Sequence, residues 1–483
     1  MTIFGSWDTR GMTRRQALAT GGAAAAVLTL GRGARAANGE GPYGPLAPDP
    51  GGLLDLPRGF QYRVISTRGE PMSDGRPTPG DPDGMAAFNG PGNTTVLIRN
   101  HELGFADAHI QGVVGTNPYN PAERGGTTAV IVAPDRRVVR DYVTSSGTAN
   151  NCAGGRTPWG TWITCEEDRD PPHGFVFEVM WDDPENTLSK TPITEMGFFS
   201  HEAIGIDPAT GFVYLTEDDF RGGDTVPGSA SNVSYLYRFR PNRVGFPGAL
   251  QQGGVLEALA IESLSTRAQR TADFWTTGQT FNVVWKTVSA ADPPASAEAQ
   301  GCVRFNRLEG AYFSGGAFWF DDTNGGEARL GQIFRYITAT NTLELFLEGT
   351  SSNVMEAPDN VVVTPWGDLW FCEDGPGFNR VMGIRPDRST YEFARVIGSE
   401  FAGPTFSPNG QTFFVNAQDH GLTFAIWGPF ARQNREQGRM MAAAQPPAKY
   451  APRISGELAE AADRYGLTQL EAAAFDRLGV PLT

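Results

Sequence analysis

The chain has 483 residues, 40% of them hydrophobic and 11% aromatic, enough to bury a large core, and its Gly and Pro content stays below that of disordered chains. A formal net charge of −15 argues against nucleic-acid binding. Four cysteines, Cys152, Cys165, Cys302 and Cys372, with no C-x-x-C pair exclude a zinc ribbon, a thioredoxin-like motif and a dense disulfide framework.

Residues 1–36 read as a twin-arginine signal peptide: Thr13-Arg14-Arg15-Gln16-Ala17-Leu18 precedes the small apolar run Ala23 to Leu30 and then Ala34-Arg35-Ala36, an A-x-A cleavage site. The apolar run is less than half of the roughly 20 residues that a membrane span needs. Its removal takes five arginines and one aspartate, so the exported chain is more acidic still. The twin-arginine translocase is therefore an expected partner, and the expected location is periplasmic or secreted. Folding before export permits metal loading in the cytoplasm and weakens the case for any disulfide, which leaves Cys165 and Cys372 as buried small apolar residues.

Residues 37–430 read as a single all-β domain. Short strands rich in Val, Tyr, Phe and Trp recur, as at 174–179 and 234–239, and long helical periodicity is missing. A turn ending in Gly leads repeatedly into an aromatic strand that finishes in acidic or polar residues: Gly160-Thr-Trp-Ile-Thr-Cys-Glu-Glu-Asp, then copies starting at Gly211, Gly316, Gly367 and Gly410, with an earlier copy over 94–102. Successive intervals are 51, 105, 51 and 43 residues, and the long one suggests a divergent copy between Gly211 and Gly316. A four-stranded unit of this period is the signature of a β-propeller blade, and six blades is the expected count. Thr157-Pro158-Trp159-Gly160 recurs as Thr364-Pro365-Trp366-Gly367 and reads as the hairpin between two inner strands. Residues 431–483 carry amphipathic spacing, with Leu458, Ala461, Tyr465, Leu467, Leu470, Phe475 and Leu478 among charges, and read as short C-terminal helices packed on the propeller.

If those turns lie on one face, the segments before the first strand and after the second converge on the other, around the channel mouth. They hold carboxylates, one thiol and one guanidinium. Carboxylates suit calcium, a thiolate among them suits a transition metal such as iron, and Arg307 offers a planar fork for phosphate or carboxylate oxygens. By this geometry Glu102, Glu356, Asp359 and Glu373 are candidate metal ligands. His101 and His201 precede glutamates without forming H-E-x-x-H, so a zincin is excluded; each either orients a carboxylate, fills an inner-strand position or touches metal or substrate. No G-x-S-x-G elbow or G-x-x-x-x-G-K-[ST] loop is present. Asp81-Pro-Asp83-Gly84 lacks the full EF-hand pattern and reads as an ordinary turn.

At the twin-arginine leader, Asp83-Gly-Met-Ala-Ala-Phe88, Arg99-Asn-His-Glu102, Asn151-Cys-Ala-Gly-Gly155, Cys165-Glu-Glu167, Ser200-His-Glu-Ala203 and Arg307-Leu-Glu-Gly310, the chain resembles the PhoX family of alkaline phosphatases. The resemblance implies a six-bladed propeller with a calcium and iron (Ca2+, Fe3+) cluster that hydrolyses phosphate monoesters. It further implies that Cys152 and Glu202 ligate iron, Glu167 ligates metal, Arg307 binds the phosphoryl group and Glu309 holds calcium; Arg307 and Glu309 are the expected catalytic pair. The expected partner is a small phosphorylated substrate, and a monomer is expected. This chain is shorter than the longer members of that family. Two other readings stay open: a calcium-dependent lactonase or arylesterase, in which Asn151 and Asn360 face the ion, and a non-catalytic propeller that calcium merely stabilises.

Overall fold

In the computed structural model, which describes residues 41–219 and 233–430, six antiparallel sheets stand radially around a central channel. Blade 1 contains Pro82–Asn89, Thr95–His101, Gly125–Val132 and Val138–Thr148, in order from the channel outward. Blade 2 has three strands, Asn151–Arg156, Trp162–Glu166 and Val176–Val179. Blade 3 begins with His201–Ile206 and Val213–Glu217, blade 4 with Leu308–Ser314 and Ala317–Asp322, and blade 5 with Pro358–Val363 and Leu369–Glu373. Blade 6 takes Phe401–Phe406, Phe413–Ala417 and Leu422–Trp427 from the end of the domain and Gln61–Thr67 from its beginning. That last pairing closes the ring, so no blade has to hold the circle by side chains alone.

Each blade is buried on both sides, which is why its strands are apolar throughout rather than on alternate positions. In Trp162–Glu166, Ile163 and Cys165 face blade 3, whereas Trp162 faces blade 1. Six apolar layers result, one in every gap between blades, including the closing gap between blades 6 and 1. Trp370, fully buried between blades 5 and 6, has a ring centroid 4.2 Å from that of Phe393; truncating an aromatic in such a layer costs about 3–5 kcal/mol.

The Thr-Pro-Trp-Gly turns join the two innermost strands of blades 2 and 5. The Thr157 hydroxyl accepts the Thr161 amide at 2.9 Å, and Gly160 and Gly367 close the turns at φ +89° and +96°, where a side chain would be strained. Trp159 and Trp366 donate their indole N–H groups to Glu178 and Asp368.

One expectation is corrected. Among the described residues no further blade lies between Gly211 and Gly316. Residues 261–307 instead supply a fifth strand to blade 3 (Val284–Thr287), a fifth strand to blade 4 (Thr280–Asn282) and the short helix Pro293–Ala299. The long interval is an edge extension of two existing sheets. The signal peptide and the C-terminal helices fall outside the described residues. Among the described residues no helix is long and apolar enough to cross a membrane.

Candidate metal centre

The register of the two innermost strands explains how the channel mouth is built. In all six blades the pairing shifts near the start of the innermost strand, as between Asn151 and Gly154 and between Leu308 and Ala311. Such a β-bulge re-aims the side chain that it carries. The residues at the bulge in blades 1 to 5 are Asp83, Cys152, Glu202, Glu309 and Asp359, and Ala402, still paired with Asn416, holds the equivalent position in blade 6. Each is followed by a small or short residue because the next blade's bulge lies against it. A Cβ on Gly84 would stand 2.5 Å from Ala153 Cα, and one on Gly310 would stand 2.3 Å from the Asp359 carbonyl oxygen.

A second row sits just past the end of the second strand. There the amides of Glu102, Glu167, Asp218, Thr323, Asp374 and Gln418 donate to the carbonyls of Asp81, Asn150, Ser200, Arg307, Ala357 and Glu400, the residues that lead into each innermost strand. This row is acidic over blades 1 to 3 and less so beyond them. Asp81, Asn150, Arg307 and Ala357 all have positive φ, so the left-handed backbone of Arg307 belongs to the repeat and is not by itself a sign of function.

The two rows meet at Glu202. Cys152, Glu167 and Glu202 offer three ligand atoms within 4.8 Å of one another, as do Glu202, Glu309 and Asp359, and all five residues are buried. Glu167 Oε1 and Glu202 Oε2 are buried without a hydrogen-bond partner. Burial pushes both carboxyls well above the usual range, and neighbouring charges push further: Asp218 and Glu202 act on Glu167, and Glu309 and Asp359 act on Glu202. The Cys152 thiol is pushed up by burial and then by Glu202 and Glu167. Buried acids that repel one another while aiming uncommitted oxygens at one point need a cation or protons. The donor set, carboxylate oxygens plus one thiol, fits a cation.

The one guanidinium in this array is fixed by acids. Arg307 Nε and Nη2 donate to the two Asp218 oxygens at 3.1 and 2.7 Å, and Nη2 also donates to Glu309 at 3.0 Å. All three side chains are buried.

A family model described as alkaline phosphatase PhoX matches residues 41–421. The chain belongs to the PhoX alkaline phosphatase family. Among proteins of curated function none matches it. Of solved structures, it is similar to a gluconolactonase from Xanthomonas campestris at 12% identity and a TM-score of 0.43, with 80% of this chain and 99% of that one covered. A streptogramin B lyase aligns at 12% identity and a TM-score of 0.37, with 77% and 98% covered. Likenesses this distant carry no argument about chemistry.

This PhoX chain brings Cys152, Glu167, Glu202, Glu309 and Asp359 together and sets Arg307 beside them. Glu102 lies next to the array, close enough for its charge to act on Cys152 and Glu167, with its carboxylate accepting from Gln418 at 2.5 Å. Glu356 and Glu373 stand outside both three-donor groups. Glu373 is clamped by Arg380 at 2.5 and 2.6 Å and accepts the Glu356 amide. The reason is strand alternation. Glu373 is the last residue of its strand and corresponds to Glu166, Glu217 and Asp322, each of which accepts a backbone amide; the residue that corresponds to Glu167 is Asp374.

His101 and His201 fill structural positions. His101 bridges the Gly80 carbonyl at 2.7 Å and the Thr128 hydroxyl at 2.9 Å, and His201 stacks on Phe199 with its Nε2 3.0 Å from the Gly197 carbonyl. Burial holds both below their ordinary pKa, hence neutral. Asn151 bonds Thr148 and Thr164, and Asn360 bonds Asp359 and Gly403, so both amides are taken up within the protein. Cys165, Cys302 and Cys372 are free and sit in the apolar layers.

Sequence reasoning gave Asp83 and Asp218 no role at the site, although Asp83 lies in a resemblance motif and Asp218 in a segment that leads to the channel mouth. Asp83 occupies the bulge position of blade 1, and its charge acts on Cys152 and Glu202. The signal was the recurring pair of an acid or Cys before a small residue: Asp83-Gly84, Cys152-Ala153, Glu202-Ala203 and Glu309-Gly310.

Proposed function

We propose that this PhoX-family protein hydrolyses phosphate monoesters with calcium and iron held at the channel mouth. The observation that supports this most is the Arg307 guanidinium, locked by Asp218 and Glu309 beside two donor groups that share Glu202. Cys152, Glu167 and Glu202 would hold the transition metal, and Glu202, Glu309 and Asp359 the calcium. When bound, these cations supply Lewis-acid polarisation of phosphoryl oxygens.

The chain's own residues do the rest. Asp218 takes the Nε edge of Arg307 and thereby fixes the plane of the fork, so that a phosphoryl group meets a preset donor array and little rotamer entropy is lost on binding. Glu309 touches both Arg307 and the calcium group, which ties the position of the phosphoryl donor to the position of the cation. Burial of the array keeps water from screening these charges, so each interaction is stronger than at an exposed surface.

The reading includes export by the twin-arginine translocase through residues 1–36 to the periplasm or medium, as a monomer. Metal analysis of the exported protein together with p-nitrophenyl phosphate hydrolysis tests it. Expected are bound calcium and iron, and activity that falls when either is removed and when Arg307 becomes Ala. A metal-free protein that hydrolyses no phosphate monoester refutes it. Retained export with Arg14 and Arg15 both changed to Lys refutes the twin-arginine route.

A further inference from the structure

A second group of uncommitted oxygens lies outside both three-donor groups, at the end of the apolar layer between blades 3 and 4. Alternation along Ala317–Asp322 sends Phe318 and Phe320 into that layer and Trp319 into the next one, so Asp322 falls on the blade 3 side. Gln332 is its direct partner on the neighbouring strand and continues the row of Phe334 and Tyr336. Asp322 and Gln332 therefore stand side by side on one face. The 261–307 insertion covers them: Gln332 Nε2 donates to the Ala272 carbonyl at 3.2 Å, and the Asn306 main-chain amide donates to Asp322 Oδ2 at 2.8 Å.

These bonds leave acceptors over. Asp322 Oδ1, Gln332 Oε1 and Asn306 Oδ1 are buried without a hydrogen-bond partner. Neither amide can be turned round to supply a donor, because Asn306 Nδ2 is held by the Asn324 carbonyl at 3.3 Å and Gln332 Nε2 by that of Ala272, and turning would point oxygen at oxygen. Asp273, next to Ala272, adds a second negative charge. Burial first and then Asp273 push the Asp322 carboxyl well above its ordinary range, with the Asn306 amide and Arg329 acting the other way. A buried water can donate to two of these oxygens but brings no charge. The turn after Asp322 also leaves space at this point, since a Cβ on Gly325 would stand 2.3 Å from Asp322 Oδ1.

We propose that Asp322, Gln332 and Asn306 hold a calcium-like divalent cation that fastens the 261–307 insertion to blade 4. The donors are a carboxylate oxygen and two amide oxygens, with neither thiolate nor imidazole among them, which suits a hard cation rather than a transition metal. Calcium accepts such irregular sets and completes them with main-chain carbonyls and water. The ion joins two neighbouring strands to a segment that the apolar layer alone would hold, and through Asn306 it anchors the backbone next to Arg307. It shares no ligand with Cys152, Glu167, Glu202, Glu309 or Asp359 and does not depend on the phosphatase reading.

Terbium, which takes calcium sites and scatters anomalously, is the probe. Crystals of the exported protein soaked in terbium chloride should show an anomalous peak between Asp322 and Gln332. The peak should persist in Glu202→Gln, which alters the carboxylate common to both groups at the metal centre, and vanish in Asp322→Asn. That variant keeps the shape of the site, and its amide can donate to Gln332 Oε1, so it retains a route to the native fold. By elemental analysis Asp322→Asn should carry about one calcium fewer per chain with iron unchanged. In scanning fluorimetry with calcium at about 100 times Kd, the rise in melting caused by calcium should be about 3 °C smaller in Asp322→Asn than in the parent. No terbium peak at Asp322 in the parent, or an equal calcium content and an equal melting response in Asp322→Asn, overturns the site. A parent that binds terbium at Asp322 and no metal at the channel mouth upholds this site and overturns the metal-centre reading.

Discussion

Asp218→Asn is the most informative single change, because it tests whether Arg307 must be held in place. The substitution keeps shape and volume. It converts an oxygen that accepts from Arg307 at 2.7 or 3.1 Å into an amide nitrogen facing an N–H donor. One charge-assisted hydrogen bond is lost, worth about 1.5–3 kcal/mol. The full penalty of about 3–5 kcal/mol for breaking a buried pair does not apply, because Glu309 still balances the guanidinium. We expect a loss of about 2 kcal/mol. With an unfolding entropy of about 2.1 cal/mol/K per residue over the propeller, melting should fall by about 2–3 °C. The effect on turnover separates two roles for Asp218. If it only contributes charge, removing a negative group from an acidic mouth should raise kcat/KM for an anionic substrate. If it positions Arg307, kcat/KM on p-nitrophenyl phosphate should fall about tenfold or more despite the improved electrostatics. Scanning fluorimetry and steady-state kinetics on the exported protein measure both, and an unchanged or increased kcat/KM would refute the positioning role.

Three further outcomes follow from the same geometry. A thiolate on ferric iron absorbs visible light, so the exported protein should be coloured and Cys152→Ser should bleach it; a colourless parent that contains no iron argues against the thiolate site. Gly310→Ala drives a Cβ to 2.3 Å from the Asp359 carbonyl oxygen, which is backbone and cannot swing aside, so blades 4 and 5 must separate locally and calcium retention on gel filtration should drop; unchanged retention refutes that contact. Burial holds the Glu217 carboxyl up to about 8 against an ordinary 4.5, so folding is progressively disfavoured as pH rises from 4.5 to about 8, where the unfolded chain ionises first. Glu217→Gln removes this term, and the melting advantage of the variant should grow across that interval and then level off; a difference independent of pH contradicts it.

The propeller was legible because its blades repeat a turn that needs Gly and a strand that needs large apolar residues, and both leave marks at a fixed period. The 105-residue interval misled because period alone cannot tell a divergent blade from an insertion that lends edge strands to two blades. At the metal centre, Cys152, Glu167, Glu202 and Glu309 stood out by residue type and by family resemblance. Glu373 was chosen over Asp374 because a run such as Cys-Glu-Asp places acids on both sides of the strand end. Only the structure shows that the first of them pairs with Arg380 and that the next one takes the position equivalent to Glu167. Asp218 was hidden for a related reason: Glu217-Asp218-Asp219 offers three carboxylates in a row, and the one that meets Arg307 depends on where the second strand of blade 3 stops.

The same register ties the site to closure of the ring. The residue of the second strand opposite each bulge can reach across the gap to the next blade: Asn100 donates to the Cys152 and Ala153 carbonyls at 3.2 and 2.6 Å, Thr216 donates to the Glu309 carbonyl at 2.6 Å, and Asn416 donates to the Asp83 carbonyl at 2.6 Å. Cys152, Glu309 and Asp83 are thus each positioned by their own bulge and by the preceding blade. The Asn416 latch spans the gap between the last blade and the first, where Gln61–Thr67 completes the sheet. A chain lacking that strand would leave blade 6 without its outer neighbour and would weaken the contact that locates Asp83. Ligands drawn from blades 2 to 5 cannot share an ion until those blades are packed side by side, so metal binding should favour the closed ring over any open form, and the free energy of binding should appear as stability of the whole propeller rather than of one loop.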